Sequence, residues 1–137
     1  MFRNNVQCTR SHSEPGYTRK LFRKPKLFGQ GEWFEYQGWV AATSDAAHAL
    51  LQHNAKLFEA ELKRPLDPTD RVYAAQEAFM SEYTSGRTQR VMVLFRHRFI
   101  VQLVVACDME LLDVIDVAGS LASMALAISI LNSGPPG

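Results

Sequence analysis

The sequence predicts an α+β domain: a small, mostly antiparallel sheet of three or four strands packed by three helices, in the order β-α-α-β-β-α, behind an irregular basic N-terminal arm. Three observations carry this expectation. Apolar residues make up 47% and charged residues 21% of 137 positions, ordinary values for a globular chain long enough to bury one core. The hydrophobic period switches between strand-like and helix-like stretches along the chain. The charge is split: residues 1–26 hold seven of the fifteen basic residues and one acid, Glu14, whereas 27–137 hold eight bases and thirteen acids. A +1 chain is thus a +6 arm joined to a −5 domain.

The arm, residues 1–28, mixes its bases with Ser, Asn, Thr, Pro and Gly, and has few aliphatics to offset its ordering entropy. Gly29-Gln30-Gly31 marks a linker. Trp33 to Val40, aromatic and roughly alternating, reads as a strand, with Gly38 at a bulge or a close backbone approach. Thr43 or Ser44 caps a helix whose stripe is Ala47, Leu51, Ala55, Phe58 and Leu62. Asp67-Pro68-Thr69-Asp70 reads as the start of a second helix, with stripe Val72, Ala75, Phe79 and Tyr83 and a C-cap at Gly86. Arg90 to Ala106 is dense in β-branched and aromatic residues and reads as a hairpin with Arg96-His97-Arg98 at its tip. Both arms of that hairpin are apolar on both faces, as in interior strands. Asp108 then caps a third helix over about 109–131, apolar nearly all round in its second half. Lys26-Leu27-Phe28 is the candidate for a fourth strand. The expected organisation is an arm over 1–28, one domain over 29–132 and a short tail over 133–137.

A pattern-level resemblance runs through the second half. Phe95-Arg96-His97-Arg98-Phe99-Ile100-Val101, then Asp108 and the helix through Val117-Ala118 to Ala125, resembles small bacterial extracytoplasmic α+β domains of unknown function. Trp39-Val40-Ala41 leading into Asp45-Ala46-Ala47 is similar to the first half of the same pattern. The resemblance covers about 90 residues, implies a fold rather than an activity, and departs from those domains in having no signal peptide.

No catalytic constellation stands out. His48 and His53 are five apart on one helix and point about 140° away from each other, so they do not form a metal pair. Asp67 and Asp70 are explained by capping, and Asp113 and Asp116 by the dipole of the last helix. Gly119-Ser120 lies inside a helix rather than at a nucleophile elbow, and Gly29-Gln30-Gly31 lacks the rest of a dinucleotide loop. Cys8 and Cys107 are too few for a disulfide framework or a zinc site. No metal and no cofactor are expected, and an enzyme is disfavoured.

The strongest functional signal is cationic and aromatic. Arg19, Lys20, Phe22, Arg23, Lys24 and Lys26 interleave bases with rings, and Arg96, His97 and Arg98 add a second cationic patch at the hairpin tip. These residues are the candidate surface for a partner or a polyanion. The function expected is a non-enzymatic binding or assembly domain, working through protein contacts of the basic arm and the apolar sheet or helix surface, in a homo-oligomer or with a protein partner. One alternative is a nucleic-acid-associated accessory protein using the arm and the Arg96–Arg98 loop. The other is a small-molecule-binding domain or enzyme with an aromatic pocket near Trp33, Tyr36 and Trp39; a deep pocket with convergent polar groups favours it and a filled core opposes it. The apolar run from Val117 to Leu131 is short of the ~20 residues of a membrane span, so a buried helix is expected rather than a membrane contact. With no secretory signal in view, a cytoplasmic location is expected, an organellar presequence being the alternative.

Overall fold

In a computed structural model the chain is described over residues 7–23 and 32–133, apart from the side chains of residue 7 and of 125–133. Seven strands and two helices occupy this part: β1 (Gln7–Glu14), β2 (Tyr17–Arg23), β3 (Trp33–Val40), α1 (Ser44–Leu62), β4 (Asp67–Pro68), β5 (Glu77–Ser85), β6 (Thr88–His97), β7 (Ile100–Cys107) and α2 (Leu111–Ser133). The strands form one sheet in the order β1-β2-β3-β7-β6-β5-β4, every neighbouring pair antiparallel.

The turns follow from local chemistry. Pro15-Gly16 joins β1 to β2: proline presets φ at its position, and Gly16 takes a φ of 80° that a side chain would resist. Val40 donates its N–H to the Gly16 carbonyl at 2.9 Å, pinning this turn to the end of β3. Gly86-Arg87 joins β5 to β6 with glycine at the first central position, at φ 61°. Arg98-Phe99 joins β6 to β7 without a glycine. The left-handed φ of 51° at Arg98 is held because its N–H donates to Gln76 Oε1 at 2.8 Å and Phe99 offers its carbonyl to Ala41 at 2.8 Å.

Two helices cover opposite faces of the sheet. Thr43 caps α1, its hydroxyl accepting from the Ala46 N–H at 3.0 Å. Ala47, Leu51 and Ala55, one turn apart, bury against Met92, Leu94, Val101 and Leu103. On the other face Val114, Ala118 and Ala122 of α2 bury against Val91, Val93, Phe95, Val104 and Ala106. Strand parity assigns these sets: odd and even residues of β6 and β7 serve different helices, so both strands are apolar throughout. Met92, Val93, Leu94 and Phe95 are wholly buried in succession, and truncation of any one should cost about 2–5 kcal/mol.

This architecture corrects the sequence expectation. Among the described residues the sheet has seven strands rather than three or four, and there are two helices rather than three. The stretch expected as the middle helix holds β4, an irregular loop and β5. Asp67 and Pro68 pair with Met80 and Phe79 as an edge strand, and Thr69 donates to the Ala78 carbonyl at 2.9 Å. The spacing of Val72, Ala75, Phe79 and Tyr83 imitates a helical stripe. In fact Val72 buries from the loop on the α2 face, whereas Phe79 and Tyr83 pack on the α1 face of a strand. The arm is also not irregular where it is described: residues 7–23 are β1 and β2, and β2 pairs with β3 along its whole length. Asp108 does not cap the last helix; it bends at a φ of 57°, donates its N–H to the Gln89 carbonyl at 3.0 Å, and α2 starts three residues later. The expected extra strand at Lys26-Leu27-Phe28, with Lys24 and most of the tail, lies outside the described residues.

Candidate ligand-binding cleft

β1 and β2 extend the sheet beyond the ground that α2 covers. Period-two alternation then leaves one side of β2 and β3 facing the flank of that helix. The register places Thr18 beside Gly38 and Gly38 beside Gln102; Lys20 beside Tyr36 and Tyr36 beside Val104; Phe22 beside Phe34 and Phe34 beside Ala106. These three rows, apart from Val104 and Ala106, and the side chains of Val117, Leu121 and Met124 on α2 line a cleft of about 490 Å³, with Glu14 and Gly16 at its hairpin end. Phe22 and Phe34 stack with ring centroids 4.6 Å apart and planes 15° from parallel, closing the other end.

The lining is largely apolar, but its floor carries one polar couple. Gln102 Nε2 donates to the Tyr36 hydroxyl at 2.8 Å. A hydroxyl that accepts one hydrogen bond keeps its own hydrogen to donate. Gln102 is 4% exposed, and its Oε1 has no hydrogen-bond partner among the described residues. The floor therefore holds one O–H donor and, beside it, one carbonyl acceptor that is almost wholly out of contact with solvent. Burial pushes the Tyr36 phenol above its ordinary value, the hydrogen bond to Gln102 pulling the other way. Gly38 makes the couple possible: the Tyr36 ring lies along the strand over it, and a Cβ there would sit 3.0 Å from Tyr36 Cζ.

Only part of the surface expected from sequence faces this cleft. Lys20 and Phe22 line it. Arg19 is on the reverse face, paired with Glu35 beside a second, more polar cavity of about 490 Å³ that also touches Arg10 and His12. Arg23, the exposed last residue of β2, stands opposite Trp33 in the register. Lys24 and Lys26 lie outside the described residues. Of the three aromatics grouped from sequence, Tyr36 is on the floor. Trp33 is on the α1 side with the Arg90 guanidinium 5.3 Å from its ring centroid, and Trp39 borders the hairpin end with its ring 5.7 Å from that of Tyr17. Alternation separates position 36 from 33 and 39.

The Arg96-His97-Arg98 tip is built into the fold. Arg96 bonds Glu77 through Nε at 2.6 Å, and its Nη1 donates to Ser44, Gln76 and the Arg98 carbonyl. His97 is buried and donates from Nδ1 to the Ala74 carbonyl at 2.8 Å. His48 reaches the same Glu77 carboxylate from α1 at 2.8 Å. Burial alone would raise the Glu77 carboxyl, but the hydrogen bonds and charges of His48 and Arg96 outweigh it and hold the carboxyl below its ordinary value. This cluster clasps the first turn of α1 to β5 and the β6–β7 turn.

Gln102 is the residue that sequence reasoning missed. Its signal was present: one polar side chain in the otherwise unbroken apolar run Ile100 to Ala106.

Compared with protein-family models, curated proteins and solved structures, the chain matches none. Among the described residues no helix is long and apolar enough to cross a membrane, and no group of three His, Cys, Asp or Glu could hold a metal.

Proposed function

We propose that this protein is a small-molecule-binding domain that takes an apolar ligand into the cleft between the β2–β3 extension and α2. The observation that carries the reading is the buried Tyr36–Gln102 couple on the floor of an apolar cleft of about 490 Å³. Its size falls within the range of about 300–1,000 Å³ usual for such sites, and a few convergent polar groups in an apolar lining are their usual composition. The reading is binding rather than catalysis because the polar groups that meet on the floor are a phenol and a neutral amide, and the lining holds no histidine, cysteine or serine. The cationic reading loses support for a related reason: Arg96 and Arg19 spend their charge on Glu77 and Glu35.

Titration with Nile red tests the proposal. Saturable one-to-one binding is expected, weakened about tenfold or more when Thr18→Trp fills part of the cleft, and unchanged by Leu57→Ala on the exposed side of α1. Unsaturable binding, or binding indifferent to Thr18→Trp, would overturn it. If the cleft instead receives a segment of a protein, the chain will self-associate or co-purify in a way that Thr18→Trp abolishes while free Nile red fails to bind.

A further inference from the structure

We infer that the Tyr36–Gln102 couple selects the ligand's polar end, and that this end is an uncharged carboxamide on an apolar body; the inference rests on the cleft being the binding site. The Tyr36 O–H needs an acceptor and Gln102 Oε1 needs a donor. A carboxamide carries both on one planar group, C=O beside N–H, and satisfies the two in one pose. A carboxylate brings two acceptors and no donor, so it would press lone pairs against Gln102 Oε1. An ester likewise answers only Tyr36. An ammonium answers only Gln102 and would have to shed its hydration among Phe22, Phe34, Val117 and Leu121. Glu14 and Lys20 both line the cleft, one of each sign, so the charged groups there exert no net pull toward an anion or a cation.

Ser81, Arg90 and His97 also bury a polar atom without a partner among the described residues, but of the four only Gln102 lines the cleft. An acceptor buried without a partner costs folding free energy, and the strand around it is otherwise apolar: Val101, Leu103 and Val104 are wholly or almost wholly buried. A leucine at position 102 would fit that environment without the penalty. The retained polar group is explained if a ligand supplies the missing donor.

The test uses the full chain and three probes with one apolar body: octanamide, methyl octanoate and octanoate, titrated with amide-resolved NMR as the readout. Octanamide should shift the resonances of Thr18, Gly38, Gln102 and Leu121 and bind about tenfold or more tighter than the ester or the carboxylate. Gln102→Leu should bring octanamide down to the level of the ester while leaving the ester's own affinity nearly unchanged, and should not lower the thermal midpoint. Tyr36→Phe should weaken amide and ester alike, an effect that loss of folding would not divide in this way. If no probe binds, the proposed cleft function falls with the inference. If the probes bind with no preference for the amide, or with a preference that survives Gln102→Leu, the inference alone is overturned.

Discussion

The ring of Tyr36 lies over the Cα of Gly38, two residues along the same face of β3, and that contact aims its hydroxyl at Gln102, 2.8 Å away on the neighbouring strand. The absent side chain at position 38 is thus what lets a tyrosine lie flat along a strand and join a polar group one row further on. Gly38→Ala should displace the ring, break the Tyr36–Gln102 bond and destabilise the protein by about 1–3 kcal/mol. The cost should shrink in the Gly38→Ala, Tyr36→Ala double variant, because the two residues act as one unit. Urea denaturation of the four proteins measures the coupling; additive effects would show that the ring does not depend on the glycine.

The Glu77 clasp predicts an acid limb in stability. Its carboxyl is held below the ordinary 4.5 by His48 and Arg96 against the opposing effect of burial. A carboxyl depressed in the folded state binds fewer protons there than in the unfolded chain. Its contribution is therefore present in full above about pH 4.5 and is lost as the pH falls through the folded-state value. Glu77→Gln should flatten that limb and cost about 1–3 kcal/mol at neutral pH, since it leaves the Arg96 guanidinium, with only 11% of its side chain exposed, without its carboxylate. Denaturation midpoints of both proteins across the acid range check it.

The alkaline limb has the opposite sign. Burial raises the phenols of Tyr36 and Tyr83 above their ordinary 10.0, opposed by the hydrogen bond from Gln102 in the first case and by Arg90 in the second. The unfolded chain releases these protons first, so the stability they contribute is full below about pH 10 and falls as the pH rises further. Ultraviolet titration of phenolate should show two late-titrating tyrosines in the native protein, and Tyr36→Phe should remove one of them.

The Phe22–Phe34 stack fastens the β1–β2 hairpin to the rest of the sheet. Phe22→Ala should destabilise the chain by about 1–3 kcal/mol, less than a fully buried phenylalanine because Phe22 is only partly buried. Amide exchange should accelerate in β1 and β2 while the wholly buried β6 and β7 keep their protection. Uniform acceleration throughout would mean that the hairpin opens only with the whole fold.

Much of the fold was legible where chain-local chemistry decides. The Thr43 cap with Ala47, Leu51 and Ala55 behind it marks a helix by itself, and the run from Arg90 to Ala106 marks two interior strands about a tip. The stretch from Asp67 to Gly86 was not legible. A capping signature at Asp67-Pro68 and apolar residues three and four apart describe a helix as well as a strand covered on both faces, and short apolar segments do not separate the two. The pairing of β5 with β6 over nine registers settled it. The arm misled through composition. Tyr17 to Arg23 has too few aliphatics to fold alone, but a strand that pairs with β3 along its length needs only one face to pack, and Phe22 supplies that contact.

The sequence by itself determined an antiparallel hairpin near the C-terminal half, a capped first helix and the concentration of positive charge before residue 27. Only the tertiary structure decided which charges remain available and where a ligand could enter. Arg96 and Arg19 look like free cations in the sequence, yet strand pairing brings each to a carboxylate, Glu77 directly opposite Arg96 and Glu35 diagonally across from Arg19. Gln102 looks like a flaw in an apolar strand, yet register sets it beside the open flank of α2, within reach of a tyrosine 66 positions earlier. The reason is physical. Charge and hydropathy are properties of single residues, whereas pairing, desolvation and an unanswered hydrogen bond belong to residues brought together from distant parts of the chain.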